Sequence, residues 1–393
     1  MVRSPVEGAR LEVDGVAGLR RALLAWYRRH HRRLPWRDSG DPYRIWVSEI
    51  MLQQTRVTAA LPYYERFVAR FPDVGALARA SRGDVLAAWA GLGYYRRARH
   101  LHEAAGVVVR EHAGRVPSDP RAFAALPGVG RYTLGAVLSM GFGQSLPVLD
   151  GNVARVFSRL AAAPVSWKRP ADAKQLWSLA ERLMPPAGGR DRPGDWNQAL
   201  MELGALVCTP RSPRCPACPV RAHCAAWARG LQHELPPVHE RREVERVHRA
   251  VACVWDRGRL LVARREGALL AGLWEPPGVE LESGEDGGEA LAAQLRALGV
   301  RARVADSGRR ERHTITHRDI TVQVWEGALS AAPPRRASLA WARAGQPSRR
   351  RALSALGSRL LAAGPGGEQR NGARAGARAP SAQRRIRRVS RRA

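Results

Sequence analysis

The sequence predicts two domains of different class, an all-α unit over residues 16–228 and an α+β unit over 248–361. Three observations predict this. The chain has 393 residues, more than one ordinary domain, and 45% of them are hydrophobic, enough for real cores. From Ala17 to about Trp227 apolar residues recur with the period of a helix. Beyond a polar stretch at 229–247 the period becomes that of strands.

Taken in order, residues 1–15 show no periodicity and are expected to be flexible. Leu19, Leu23, Trp26 and Tyr27 then fall on one helical face, as do Val85, Leu86 and Trp89. Phe71-Pro72-Asp73 and Val116-Pro117-Ser118-Asp119-Pro120 break the helical run into segments. Residues 229–247, with Pro236 and Pro237, have the composition of a linker. Ala250–Trp255 and Arg259–Ala263 flank Asp256-Arg257-Gly258, a hairpin signature. A helix is expected near Glu289–Leu298 and a strand over Ile320–Trp325. Residues 362–393 are rich in Gly, Ala and Arg, almost without large apolar side chains, and are expected to be disordered. Their Arg384-Arg385-Ile386-Arg387-Arg388 cluster is either a loose nucleic-acid contact or a solvated tail.

Charge narrows the partner. There are 65 basic and 35 acidic residues, a net charge of +30. Cationic side chains displace condensed counterions from DNA, so a polyanion is the natural partner. Nearly every basic residue is Arg, the only lysines being Lys168 and Lys174, and that skew is equally open to a compositional origin. No apolar run is long enough to span a bilayer and no signal peptide opens the chain. An intracellular protein of the cytoplasm or nucleoid, a monomer without membrane contact, is expected.

Four of the five cysteines, Cys208, Cys215, Cys218 and Cys224, form a C-x6-C-x2-C-x5-C run. A cubane [4Fe–4S] cluster takes one thiolate per iron and suits four sulfurs in one loop. Zinc is the alternative, but structural zinc sites pair close knuckles across a longer gap, and only Cys215 and Cys218 make such a knuckle. A disulfide framework is disfavoured, since only Cys253 remains elsewhere.

Three further segments carry chemistry. Leu126-Pro127-Gly128-Val129-Gly130 lies between apolar helical stretches. Its glycines permit a tight turn whose following helix offers free N–H groups to a phosphate, the form of a helix-hairpin-helix. Asp150, in Val148-Leu149-Asp150-Gly151-Asn152-Val153, stands at a helix start, as an N-cap, a functional carboxylate or both. Glu49, in Trp46-Val47-Ser48-Glu49-Ile50-Met51-Leu52-Gln53-Gln54-Thr55, is set in an apolar helical segment. A buried Glu needs a partner or its proton; burial raises its pKa and suits a general acid, though a structural partner explains it as well.

Ser48–Thr55, Gly91-Leu92-Gly93-Tyr94-Tyr95, Leu126–Gly130, Leu149–Val153 and the cysteine run occur in this order. Together they resemble the endonuclease III superfamily, and within it the MutY-type adenine DNA glycosylases, from about Trp26 to Cys224 and more weakly beyond. The resemblance implies a multidomain chain: an all-α helix-hairpin-helix DNA glycosylase domain with a [4Fe–4S] loop, and an α+β Nudix-like C-terminal domain. It implies base-excision repair of double-stranded DNA, with adenine removed opposite 8-oxoguanine or guanine. Glu49 would be the acid that protonates the adenine ring, and Asp150 would stabilise the oxocarbenium-like sugar. Asn152 and Tyr132 match positions lining the catalytic site. Gln54 and Tyr94 match residues that enter the base stack, and Leu126, Gly128 and Gly130 would hold a phosphate. Trp36, Arg37 and Glu202 look like adenine-pocket positions.

Superfamily members that also cut the strand carry a Lys just after the hairpin, where it forms a Schiff base. This chain has Arg131-Tyr132-Thr133 there, so a monofunctional hydrolase is expected. In the second domain, Gly272–Gly278 resembles the start of a Nudix fold, but Glu289–Leu295 lacks the glutamates that hold magnesium. The family's lesion-reading F-S-H loop becomes Ile315-Thr316-His317, which keeps an apolar wedge and a hydroxyl. Thr316 and His317 are its candidate DNA contacts. Rival readings are a glycosylase for oxidised pyrimidines, a non-enzymatic iron–sulfur DNA-binding protein and a nucleotide pyrophosphatase. The missing Lys, the retained Glu49 and Asp150, and the missing glutamates argue against them in turn.

Overall fold

The computed structural model describes residues 11–237, 243–266, 270–344 and 351–366. The helical unit runs α1 (Val16–His30), α2 (Pro35–Asp38), α3 (Pro42–Leu52), α4 (Val57–Arg70), α5 (Val74–Arg79), α6 (Arg82–Trp89) and α7 (Arg96–Glu111). It continues with α8 (Pro120–Ala124), α9 (Arg131–Phe142), α10 (Gly151–Leu160), α11 (Pro170–Leu183), α12 (Pro193–Leu206) and α13 (Ala225–Ala228). Side-chain caps fix many of these starts: Asp41, Asp73, Ser81, Asp119 and Asp150 each accept a backbone N–H of the first turn. Proline at the first position of α2, α3, α8, α11 and α12 costs no hydrogen bond there.

The helices close around two cores. One gathers Trp46, Phe67, Trp89 and Phe123; the other gathers Leu19, Leu23, Phe157 and Trp196. α9 contributes Val137 and Leu138 to the first and Ala136 to the second, and so lies between them. Glu49 and Asp150 come from opposite sides of that seam.

The N-terminal expectation needs correction. Leu11 is buried in the second core, its carbonyl accepts from the Arg182 guanidinium, and Val13 packs on the same core, so the chain is anchored from residue 11. The stretch read as a linker is also shorter than expected. Leu235 is buried and its carbonyl accepts from Arg159 Nε at 2.8 Å, while the first strand begins at Glu245. The expected disordered tail lies outside the described residues from 367 onward.

The second unit is a mixed sheet with strands β1 (Glu245–Asp256), β2 (Arg259–Arg264), β3 (Trp274–Glu275), β4 (Gly278–Leu281), β5 (Ala302–Ile315), β6 (Arg318–Leu329) and β7 (Leu339–Arg343). β1 is central: it pairs parallel with β6 and antiparallel with β2 and β4. Its alternation is strict. Val247, Val251 and Cys253 face α15 (Ala355–Ala363), whereas Ala250, Ala252 and Val254 face α14 (Gly287–Ala297). Arg257 and Gly258 take φ of 49° and 69°, as a two-residue hairpin requires. The units touch: Leu273 and Ala352 are buried in the first helical core, and Arg99 Nη1 donates to Ala271 O at 3.0 Å. Among the described residues, no helix is long and apolar enough to cross a membrane.

Candidate active site and nucleic-acid interface

α3 is apolar on nearly every side, so Glu49, in its third turn, has nowhere to go but inward. It is 4% exposed. The Tyr132 hydroxyl, carried on the first turn of α9, donates to Glu49 Oε2 at 2.7 Å and also contacts Met201 Sδ at 3.3 Å. Burial pushes the Glu49 carboxyl up to about 7; the Tyr132 bond and Arg37 oppose the shift, and the nearby Asp150 charge adds to it.

Asp150 caps α10. Its Oδ1 accepts from the backbone N–H of Asn152 at 2.9 Å and of Val153 at 2.7 Å, and its Oδ2 from the Asn152 amide at 3.0 Å. Burial pushes this carboxyl up from the ordinary aspartate range, but these donors and Arg155 pull it back. The helix N-terminus adds to that pull. Glu49 thus meets a single hydroxyl donor and Asp150 three N–H donors, so of the two carboxyls Asp150 is the better solvated as an anion.

Behind Asp150, Arg155 ties the site to the cysteine loop. Its Nη2 donates to Asn152 Oδ1 at 2.9 Å and Gly204 O at 2.8 Å, and its Nε to Cys208 O at 2.8 Å. One turn on, Arg159 is 2% exposed and donates to Cys208 Sγ at 3.2 Å and to the carbonyls of Thr209 and Pro210. Among the described residues it has no carboxylate partner. A guanidinium so buried needs negative charge nearby, which a thiolate-ligated centre supplies. The thiols of Cys215, Cys218 and Cys224 are pushed up by burial and by one another, so they would repel if ionised with nothing bound between them. The donor set of four cysteines fits an iron–sulfur cluster.

Glu202, on α12, is fully buried and accepts four hydrogen bonds: Arg32 N and Nε on Oε1, and Arg32 Nη2 and Arg37 Nη2 on Oε2, all at 2.8–2.9 Å. Burial alone would raise its pKa; the two arginines bring it down to about 2. With its lone pairs occupied, Glu202 holds Arg32 and Arg37 in place and has no acceptor left for a base. Trp36 is 3% exposed, edge-on to Tyr64 with ring centroids 4.9 Å apart.

Gln54 and Tyr94 take left-handed conformations, φ 58° and 48°, and line one cleft with Arg97, His100, Pro127 and Gly128. Tyr94 is 42% exposed. In the hairpin, Leu126 is a buried anchor, not a surface contact. Gly128 has φ 78°, and a Cβ there would meet His100 Cβ at 2.6 Å; Gly130 caps α9 with no side chain over the helix end. Thr316 and His317 stand apart from this group, at the exposed β5–β6 turn. Thr316 has φ 56°, and His317 Nε2 lies 3.5 Å from Glu245 Oε2.

Residues 47–182 match the HhH-GPD superfamily of base excision DNA repair proteins, and residues 250–363 match the NUDIX domain. A solved thermostable thymine-DNA glycosylase superposes with a TM-score of 0.49 at 30% identity, over 55% of this chain and 100% of that one. The adenine DNA glycosylase of Homo sapiens is 37% identical over 391 residues, covering 82% of this chain and 69% of the relative. That of Rattus norvegicus is 36% identical over 401 residues, covering 87% and 77%. The chain belongs to the adenine DNA glycosylase family.

The glycosylase therefore has the two-part architecture its motifs suggested, helix-hairpin-helix and Nudix-like. Sequence reasoning missed Arg32, Arg97, Arg155 and Arg159, which hold its active-site segments together. In a chain where almost every cation is Arg, nothing in the spacing distinguishes these four from the solvated ones. Arg131 turns away from the site, over the Trp177 ring at 4.0 Å and paired with Glu181. Thr133 is buried and accepts from Gln53 Nε2 at 3.3 Å.

Proposed function

We propose that this glycosylase hydrolyses the N-glycosidic bond of adenine paired with 8-oxoguanine or guanine in duplex DNA and leaves an abasic site without cutting the strand. Adenine removal in base-excision repair follows from the family; the mispair and the absence of strand cleavage are the finer claims. The observation that carries the mechanism is the unequal solvation of Glu49 and Asp150.

Glu49, titrating near neutrality, gives its proton to a ring nitrogen of the extruded adenine. The bond between the base and the sugar breaks with its electron pair leaving on the now neutral base. Asp150, held as an anion by three N–H donors, faces the cationic sugar until water adds and gives its proton to the Glu49 carboxylate. Tyr132 and Asn152 fix the two carboxyl groups and are not consumed. The positions just after the hairpin, where strand-cutting members of the superfamily carry their Lys, are Arg131, Tyr132 and Thr133. That supports hydrolysis without a Schiff base.

Cys208, Cys215, Cys218 and Cys224 would hold a [4Fe–4S] cluster. When bound, it supplies a rigid cross-link of four sulfurs and negative charge for Arg159. Gln54 and Tyr94 enter the stack where the base leaves. Thr316 and His317 of the Nudix-like domain contact the opposite base, with a hydroxyl and an imidazole as polar probes, while Ile315 packs against that domain's own core and is not the free wedge its position suggests.

The test uses a duplex with one 8-oxoguanine:adenine pair, labelled on the adenine strand, with products resolved with and without alkali. A break only after alkali is expected. A break without alkali refutes the hydrolytic assignment, and no break with tight binding favours a non-catalytic role.

A further inference from the structure

Arg97 touches no candidate catalytic group, yet it makes more polar contacts than any of them. It opens the second residue of α7 and turns back between two loops. Nη1 reaches the carbonyls of Ile50 at 2.9 Å, Met51 at 3.0 Å and Gln53. Ile50 and Met51 lie in the last turn of α3, whose carbonyls have no partner within the helix. Nη2 reaches Gly93 O at 3.2 Å and, at 3.4 Å, Leu92 O and Thr55 Oγ1; Nε reaches Tyr94 O at 3.4 Å. The same guanidinium lies 5.2 Å from the Tyr94 ring centroid and 5.5 Å from that of Trp89.

The two loops so joined are unusual. Gln54 and Tyr94 are both left-handed without being glycine, a costly conformation that persists only where surroundings over-determine it. Gly91 and Gly93, at φ 104° and 71°, join Tyr94 as the positive-φ positions of the loop before Arg97. Trp89 Nε1 donates to Gly93 O at 3.1 Å, and the Gly91 N–H to Tyr95 Oη at 3.1 Å, but these bonds stay within the loop. Arg97 bridges the Gly91–Tyr94 loop to the end of α3, where Gln54 follows and where Glu49 lies one residue before Ile50.

We propose that Arg97 is the positioning residue of the DNA wedge: one planar guanidinium fixes Gln54 and Tyr94 at a set spacing from each other and from the helix that carries Glu49. The proposal rests on the reading of Gln54 and Tyr94 as residues that enter the base stack. The planar fork matters, because a compact ammonium cannot serve carbonyls on two loops at once. The binding energy of the wedge is thereby delivered to the same body that carries the acid, so opening the stack and presenting the base are one movement.

The test compares single-turnover adenine excision from two duplexes carrying one 8-oxoguanine:adenine pair, one fully paired and one with flanking mismatches that loosen the stack. Arg97→Gln is expected to slow excision about ten- to a hundredfold on the paired duplex and far less on the loosened one. Tyr94→Ala and Gln54→Ala should show the same dependence, and Arg97→Gln combined with Tyr94→Ala should be less than additive. A stack-dependent loss in the two wedge variants without one in Arg97→Gln overturns the proposal alone. Equal slowing by the wedge variants on both duplexes overturns the wedge reading and the proposal with it. Arg97→Lys keeps the charge and loses the fork, and it decides the matter if Arg97→Gln does not fold. A smaller loss with the same dependence on stacking is expected; wild-type rates or equal slowing on both duplexes overturn the proposal.

Discussion

The Tyr132 hydroxyl and the Glu49 carboxyl meet at 2.7 Å across the seam between the two helical cores. The bond stabilises the charged form of Glu49, so it holds down a carboxyl that burial pushes up to about 7. Tyr132 thereby sets where the acid titrates.

The pH profile should show this. On the proposed mechanism excision needs protonated Glu49, so the rate should fall as pH rises through about 7. Tyr132→Phe removes a stabiliser of the carboxylate and should move that alkaline limb to higher pH. A limb that moves down would refute the role given to the hydroxyl.

Glu49 also costs stability. Its folded pKa is about 7 against an ordinary 4.5, so the folded state holds a proton that the unfolded state has lost. Its contribution to stability falls as pH rises from about 4.5 to about 7 and stays lost above. Glu49→Gln should abolish excision, keep mispair binding and gain up to about 3 kcal/mol on the wild type between pH 5 and pH 8. Urea melts at the two pH values measure it; an unchanged difference refutes the burial.

Glu202 should respond in the opposite sense. Its folded pKa of about 2 lies below the ordinary 4.5, so its stabilisation is present above 4.5 and lost as pH falls toward 2. Glu202→Gln strands Arg32 and Arg37, and should destabilise by about 3 kcal/mol at neutral pH. The gap between mutant and wild-type melting should close in acid. If Glu202 contacted the base instead, the substitution would raise KM and leave the melt unchanged.

Gly204 lies where α12 passes α10. A Cβ there would sit 2.7 Å from Asn152 Cβ and 3.1 Å from its carbonyl. Alanine normally favours a helix interior over glycine by about 1 kcal/mol. Here the clash should reverse the sign, so Gly204→Ala should lower the melting temperature and, by displacing Asn152 from Asp150, slow excision about tenfold or more. A gain in stability would show that the helices can part without consequence.

The helical half was legible where periodicity and capping agree. The spacing of Leu19 and Leu23, the breaks at Phe71-Pro72-Asp73 and Val116–Pro120 and the glycines of the hairpin all carry direct physical meaning. Glu49 and Asp150 were legible because a carboxyl in an apolar run is costly and needs a reason. β5 was not legible. Its half-buried Arg309, Glu311 and His313 alternate with exposed Arg310, Arg312 and Thr314, polar on both faces, so no hydrophobic period marks it. The resemblance makes Glu202 an adenine-pocket position, yet its four donors come from residues 165 and 170 positions away, a closure no local pattern reveals. Leu11 escaped for the same reason, since its place in a core is defined by α1, α11 and their neighbours.

α1 depends on parts of the chain made much later. Arg20 donates to Leu183 O at 3.0 Å and to Met184 O at 2.6 Å, partners 163 and 164 residues downstream. Gly15 and Gly18 leave room for the His223 ring, which would meet a Cβ on either at 3.0 Å. His223 stands directly before Cys224. During synthesis, α1 leaves the ribosome with an apolar face that stays uncovered until α11 and α12 follow, and with its N-terminal surface open until the cysteine loop arrives. Contacts so distant in sequence make folding slow. The nascent chain thus has a long interval in which α1 is only partly covered, and the cysteine loop is the piece that ends it.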